Sequence, residues 1–219
     1  MNKSDIQLKQ DIEAELRWDP KVNPAQIGVS VDNGIVSLMG AVDTYAEKWA
    51  AEDAAKRVGG VRVVAEDLTV KVPEPHKRTD SEIAAAALSA LKLNVFVPQT
   101  VTAKVEKGWI TLQGQVEWYY QRTSAENAVR YLAGVVGVSN SINIKPRASA
   151  EQVKEKVQAA LQRQATADAR SIQIETSGGT VTLSGNASNW QAVDDAIHAA
   201  WSAPGVTKVV CNVALTVPR

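Results

Sequence analysis

A fourteen-residue stretch occurs three times in this chain: IGVSVDNGIVSLMG from Ile27 to Gly40, VTAKVEKGWITLQG from Val101 to Gly114, and IQIETSGGTVTLSG from Ile172 to Gly185. In each copy apolar or small residues alternate with polar ones up to a turn, then alternate again to a closing glycine. A period of two belongs to half-buried strands, so each copy predicts a β-hairpin. The turns Asp32-Asn33-Gly34, Glu106-Lys107-Gly108 and Ser177-Gly178-Gly179 supply residues tolerant of positive φ, which tight hairpins need.

The copies share further landmarks at fixed offsets. Gly34, Gly108 and Gly179 each stand six residues before Gly40, Gly114 and Gly185, and the last three are 74 and 71 residues apart. Twenty residues beyond each closing glycine comes another, Gly60, Gly134 or Gly205, each followed by valine. The interval is that of a small domain, and all nine glycines read as structural, serving turns and helix ends; no phosphate-cradling motif is present.

The flanking segments complete a unit. Ile6, Leu8, Ile12 and Leu16 share one side of a helix before the first hairpin, as do Val153, Val157 and Leu161 before the third. Asp80 or Ser81, and Ser149, are the expected N-caps of the later two. A second helix follows each hairpin, with capping boxes at Thr44 to Glu47 and Ser188 to Gln191. It opens on an aromatic (Tyr45, Tyr119, Trp190), is lined by alanines (Ala51, Ala54; Ala125, Ala128; Ala196, Ala199), and is expected to end at the second glycine. A last strand carries Leu68, Val70 and Val72, then Ile142 and Ile144, then Val213, Leu215 and Val217. The predicted fold class is α+β: three tandem αββαβ domains at 1–73, 79–146 and 148–219, each a three-stranded mixed sheet packed on two helices. The proline-containing linkers PEPHKR from Pro73 and KPRAS from Lys145 are short, so the domains are expected to pack side by side.

This pattern, an alternating strand, a turn glycine, V-S-L-M-G or I-T-L-Q-G or V-T-L-S-G, an alanine-rich helix, then G-V and a final strand, resembles the BON domain of bacterial osmotically inducible and nodulation proteins. The resemblance covers about Asp5 to Val72, Asp80 to Ile144 and Ala150 to Val217. It implies a non-enzymatic αββαβ protein of osmotic or envelope stress, binding phospholipid head groups, with potassium binding in some members. The family's late asparagine survives here only as Asn140, with Glu66 and Cys211 at the matching places.

Composition excludes several other classes. The 24 basic and 24 acidic residues cancel, so no overall field draws in nucleic acid. No apolar run is long enough for a transmembrane segment. The single cysteine, Cys211, rules out an internal disulfide or a multi-thiolate metal site, and its parity with Val213 and Leu215 predicts a buried, inert thiol. His76 and His198 have no partner at a telling spacing and read as surface residues, leaving no catalytic constellation, cofactor or metal site. As written, the start of the chain predicts a cytoplasmic protein, and a periplasmic one if a leader has been removed.

Candidate interaction residues lie where the copies differ. Trp118 and Tyr120 flank Tyr119 and break the capping pattern kept elsewhere; with Arg122 they form a cluster suited to a lipid interface, a protein contact or the joint between repeats. Tyr119 itself, like Tyr45 and Trp190, is expected to pack at the helix start. Trp18 is a further unrepeated candidate, and both Trp18 and Trp109 are expected to pack between domains before they touch a ligand. The expected partners are phospholipid head groups; a chaperone-like protein-interaction module, potassium binding and self-association remain open alternatives.

Overall fold

The computed structural model describes residues 3–145, 153, 155, 157, 159, 160 and 171–216. Three sheets of three strands each carry the repeat, and in every sheet the strand order follows the sequence. The first unit comprises α1 (Asp5–Trp18), β1 (Ile27–Asp32), β2 (Ile35–Val42), α2 (Tyr45–Arg57) and β3 (Val63–Val70). The second comprises α3 (Asp80–Leu93), β4 (Thr102–Glu106), β5 (Trp109–Val116), α4 (Tyr119–Arg130) and β6 (Gly137–Ile144). The third has helical backbone at the described residues between 153 and 160, then β7 (Ile172–Ser177), β8 (Thr180–Ala187), α5 (Trp190–Trp201) and β9 (Lys208–Leu215).

Within each sheet the hairpin pair is antiparallel and the last strand returns parallel to the central one. The alternation fixes which face is covered. Val29, Val36, Leu38 and Leu68 are buried under Leu8, Ile12 and Leu16 of α1 and the alanines of α2. Equivalent cores form around Ile83, Leu91, Ile110, Leu112 and Ile142, and around Val153, Val157, Ile174, Val181 and Leu183. Ala51, Ala54, Ala125 and Ala196 are at most 1 % exposed, so the small side chains do bring the second helix down onto the sheet.

The closing glycine of each hairpin is dictated by backbone. Gly40, Gly114 and Gly185 have φ of 125°, 134° and 112°, and a Cβ there would collide with the carbonyl oxygen of Gln26, Thr100 or Ser171 on the antiparallel neighbour. The hairpin tips are held from outside. The Asp5 carboxylate accepts the N–H groups of Asn33 (2.8 Å) and Gly34 (3.2 Å), and Asp80 accepts those of Lys107 (2.7 Å) and Gly108 (2.8 Å). Each turn presents two adjacent positive-φ residues whose N–H groups converge on one anion, here the first acidic residue of the preceding helix.

Several sequence expectations are corrected. Asp80 spends its carboxylate on the turn, so Thr79 caps α3, in a reciprocal capping box with Glu82. Asn189, one residue after Ser188, caps α5 through the N–H of Ala192. The second helices stop at Arg57, Arg130 and Trp201, short of Gly60, Gly134 and Gly205, which take positive φ in the turn leading to the last strand. Ser149, Leu161 and Val217 lie outside the described residues.

Cys211 is exposed, not buried. It sits on an edge strand opposite Leu183, in the place that Glu66 and Asn140 occupy opposite Leu38 and Leu112. There the second helix reaches over the sheet edge with a long polar side chain. Lys48 pairs with Glu66 (3.0 Å) and donates to Leu68 O (2.7 Å); Arg122 donates to Asn140 O (3.0 Å), while Asn140 Nδ2 donates to Arg122 O and Glu126 Oε2, both at 3.0 Å. The third repeat has Val193 at this point of α5, too short to cover the edge, and the thiol is left in solvent.

Candidate interaction sites at the domain seams and helix tips

The first residues of α2, α4 and α5 are Tyr45, Tyr119 and Trp190, and eleven residues further along the same helices stand Lys56, Arg130 and Trp201. With 100° per residue, positions 0, 4, 7 and 11 of a helix fall within an arc of about 60°, roughly opposite the alanine face. In this structure that arc of every second helix faces another repeat.

Tyr45 packs against the core of the second repeat, where Arg130 lies 4.3 Å from the ring of Trp49. Tyr119 stacks on Trp201 of the third repeat, with ring centroids 4.5 Å apart and planes 7° from parallel, and His198 meets the Tyr119 ring edge-on at 6.2 Å. Trp190 packs against the core of the first repeat, where the Lys56 ammonium stands 5.8 Å from its ring centre. The position-11 residue of one second helix thus meets an aromatic on the same arc of the preceding one: Arg130 meets Trp49 at position 4, Trp201 meets the opening Tyr119, and Lys56 meets the opening Trp190. The chain closes on itself as a head-to-tail ring with three seams.

The seams are built from different chemistry at the same positions. Glu52 with Lys56 (2.7 Å) and Glu126 with Arg130 (2.8 Å) are ion pairs along α2 and α4, whereas α5 has Ile197 and Trp201. Arg130 is nearly buried, and among the described residues its Nε and the indole Nε1 of Trp190 have no acceptor; the guanidinium's compensation is the indole face of Trp49. Burial raises the phenol pKa of Tyr45 and of Tyr119, and burial raises that of the Asp194 carboxyl against the pull of Lys56 and His198. A cleft of about 230 Å³ follows the first seam between Tyr45, Val72 and His76 on one side and Arg130, Tyr131 and Gly134 on the other.

The second feature is apolar surface at the ends of the first helices. Trp18 closes α1 and is 83 % exposed; Leu93 closes α3 at the matching position and is 82 % exposed. After Leu93 the chain adds Val95, 89 % exposed, and Phe96, which meets Tyr120 edge-to-face at 5.9 Å. Arg17, Lys21 and Lys92 are exposed beside them. The nearby acid, Asp19, is engaged: it accepts Lys21 N (3.0 Å) and Arg57 Nη2 (2.9 Å), and these contacts hold its pKa below the usual carboxylate value.

The run Trp118, Tyr119, Tyr120 and Arg122 therefore divides among four roles. Trp118 caps α4 without a side-chain acceptor and is half-buried; Gln121 Oε1 offsets this by accepting the N–H groups of Glu117 (2.9 Å) and Trp118 (3.1 Å). Tyr119 fills a seam, Tyr120 stands at a helix tip, and Arg122 ties α4 to β6. Trp18 projects into solvent, so it does not pack between domains. Trp109 does not either: it lies across Gly137 on the outer face of its own sheet, its Nε1 donating to Ser139 Oγ at 2.9 Å. Trp49, Trp201, Arg130 and Lys56 escaped sequence reasoning, although their spacing from the opening aromatics, on the side away from the alanines, carried the signal. Among the described residues no helix is long and apolar enough to cross a membrane, and no cluster of metal-ligating side chains occurs.

The BON domain matches three times, at residues 4–72, 79–146 and 149–216. The chain is 27% identical over 149 residues to Osmotically-inducible protein Y of Escherichia coli (strain K12), covering 64% of this chain and 73% of that protein. Among solved structures it is similar to CdsD, a structural protein of the type III secretion system of Chlamydia trachomatis, at 15% identity and a TM-score of 0.28, over 96% of this chain and 92% of that one. The C-terminal domain of CdsD is matched at a TM-score of 0.26, also at 15% identity, over 98% of this chain and all of that one.

Proposed function

Because this chain belongs to the BON domain family, with three copies of the domain, we propose that it is a non-enzymatic, stress-associated protein that docks on the head groups and outer acyl region of an anionic phospholipid surface. The stress association rests on its relative, a protein named as osmotically inducible. The observation that carries the lipid reading is the set of isolated apolar side chains at the helix ends, Trp18, Leu93 and Val95, each more than 80 % exposed and flanked by Arg17, Lys21 and Lys92. Single protruding side chains next to cations suit the membrane interface, where an indole or leucine enters the acyl boundary and a cation stays at the head groups. Exposed cations each add about 1 kcal/mol near an anionic leaflet, which compensates for a chain with no net charge.

Flotation with vesicles of phosphatidylcholine and phosphatidylglycerol in equal parts tests the reading. The protein should rise with these vesicles at low salt, less at high salt, and scarcely with pure phosphatidylcholine. Protein that stays at the bottom of the gradient under all three conditions would refute it.

A further inference from the structure

We infer that ring closure sets the helix tips of the first and second repeats on one face of the molecule, so that the protein meets a membrane as a rigid two-point clamp whose affinity depends on intact seams. The inference rests on the lipid reading above and adds the geometry by which that surface is used.

The first step is symmetry. Three seams that pair the same arc of one second helix with position 11 of another and return to the starting repeat approximate a closed rotation without translation along its axis. Residues at matching positions then sit at the same height along that axis. Trp18 and Leu93 match, each being the last residue of the first helix of its repeat.

The second step is direction. The second helices meet start to end, so they run around the ring, and the arc at positions 0, 4, 7 and 11 points inward. The end of the first helix docks about a quarter-turn from that arc, at positions 1, 5, 8 and 12. Phe96 meets Tyr120 at position 1, Asn94 Nδ2 donates to Ser124 O at position 5 (3.4 Å), and Glu15 and Asp19 bind Arg57 at position 12, both at 2.9 Å. For a helix lying along the ring, a quarter-turn from inward is the axial direction. Both tips therefore project to the same side, where a flat surface touches them together.

Two weak contacts held by one rigid body reinforce each other through effective concentration, a gain lost when either contact is removed or when their relative geometry is free. Binding of Trp18→Ser, of Val95→Ser/Phe96→Ser and of Arg130→Met, at the seam that joins the two tip-bearing repeats, to the same phosphatidylglycerol vesicles is measured against the unaltered chain, with circular dichroism confirming the fold of each. Trp49→Ala serves as a second variant of the same seam should Arg130→Met fail to fold. Each tip variant should lose at least tenfold in apparent affinity, and the seam variant, both tips intact, should lose a comparable factor. A loss of about twofold per tip, the mark of independent contacts, would overturn the clamp while leaving lipid binding in place. So would a seam variant that binds like the unaltered chain. An unaltered chain that binds no vesicles would overturn both the clamp and the lipid reading.

Discussion

The aromatic side chains of the seams and those of the helix tips are of similar kinds and lie on neighbouring helices, yet they meet opposite surroundings. Tyr119 and Trp201 stack against each other inside a seam, while Trp18, one helix over in its own repeat, is 83 % exposed. The difference follows from place in the repeat. A residue on the inward arc of a second helix meets the next domain whatever its chemistry, and stacking, cation–π contact and ion pairing are alternative ways to fill that place. Trp18 and Leu93, the last residues of their first helices, are more than 80 % exposed, and there apolar character has no folding use. The seams are where repetition is needed for stability; the tips are where the chain addresses something else.

This contrast is open to mutation. The largest effect on stability should come from Trp201→Ala, which removes the stacked partner of Tyr119 and should cost about 2–3 kcal/mol in urea unfolding. Arg130→Met roughly keeps volume but removes the guanidinium over Trp49 and leaves Glu126 without its cation, with only Asn140 Nδ2 still donating to it. It should cost about 1–2 kcal/mol, since a nearly buried pair is broken on one side. Either value falling to that of a surface substitution would show that the seams do not hold the domains together.

A smaller effect is expected at Asp194, whose carboxyl pKa burial raises above the ordinary value of 3.8. The folded chain then binds this proton more readily than the unfolded one. The contribution of Asp194 to stability accordingly falls as pH rises through 3.8 to the folded pKa, and stays low above it. Asp194→Asn should raise the melting temperature slightly at pH 7 and leave it unchanged below the unfolded pKa, as followed by thermal melts across that range. The smallest effect should be that of Trp18→Ser, within about 0.5 kcal/mol of the unaltered chain, even though it should abolish most membrane binding.

The three-fold repeat was legible because its signals are local. Alternation in IGVSVDNGIVSLMG fixes which strand residues are buried, and Gly40 is required by an oxygen only one strand away. Polar side chains that serve non-local partners were harder to place: Asp80 looks like a cap but binds the hairpin turn, and the exposure of Cys211 depends on what Val193 fails to cover. The run from Trp118 to Arg122 stood out as a departure from the repeat, yet its members serve four separate places. The seam could be anticipated only by setting the three second helices side by side, because Trp201 shares a position with the cations Lys56 and Arg130 but not their chemistry. That Leu93 and Trp18 remain outside any core is a property of the assembled ring and of neither helix alone.

Small-angle X-ray scattering of the full chain tests closure of that ring most directly. A closed arrangement of 219 residues should give a radius of gyration of about 17–19 Å, close to that of a single packed body of this length. Three domains strung out on their short linkers, with the third seam open, would give a value above about 22 Å and contradict the account.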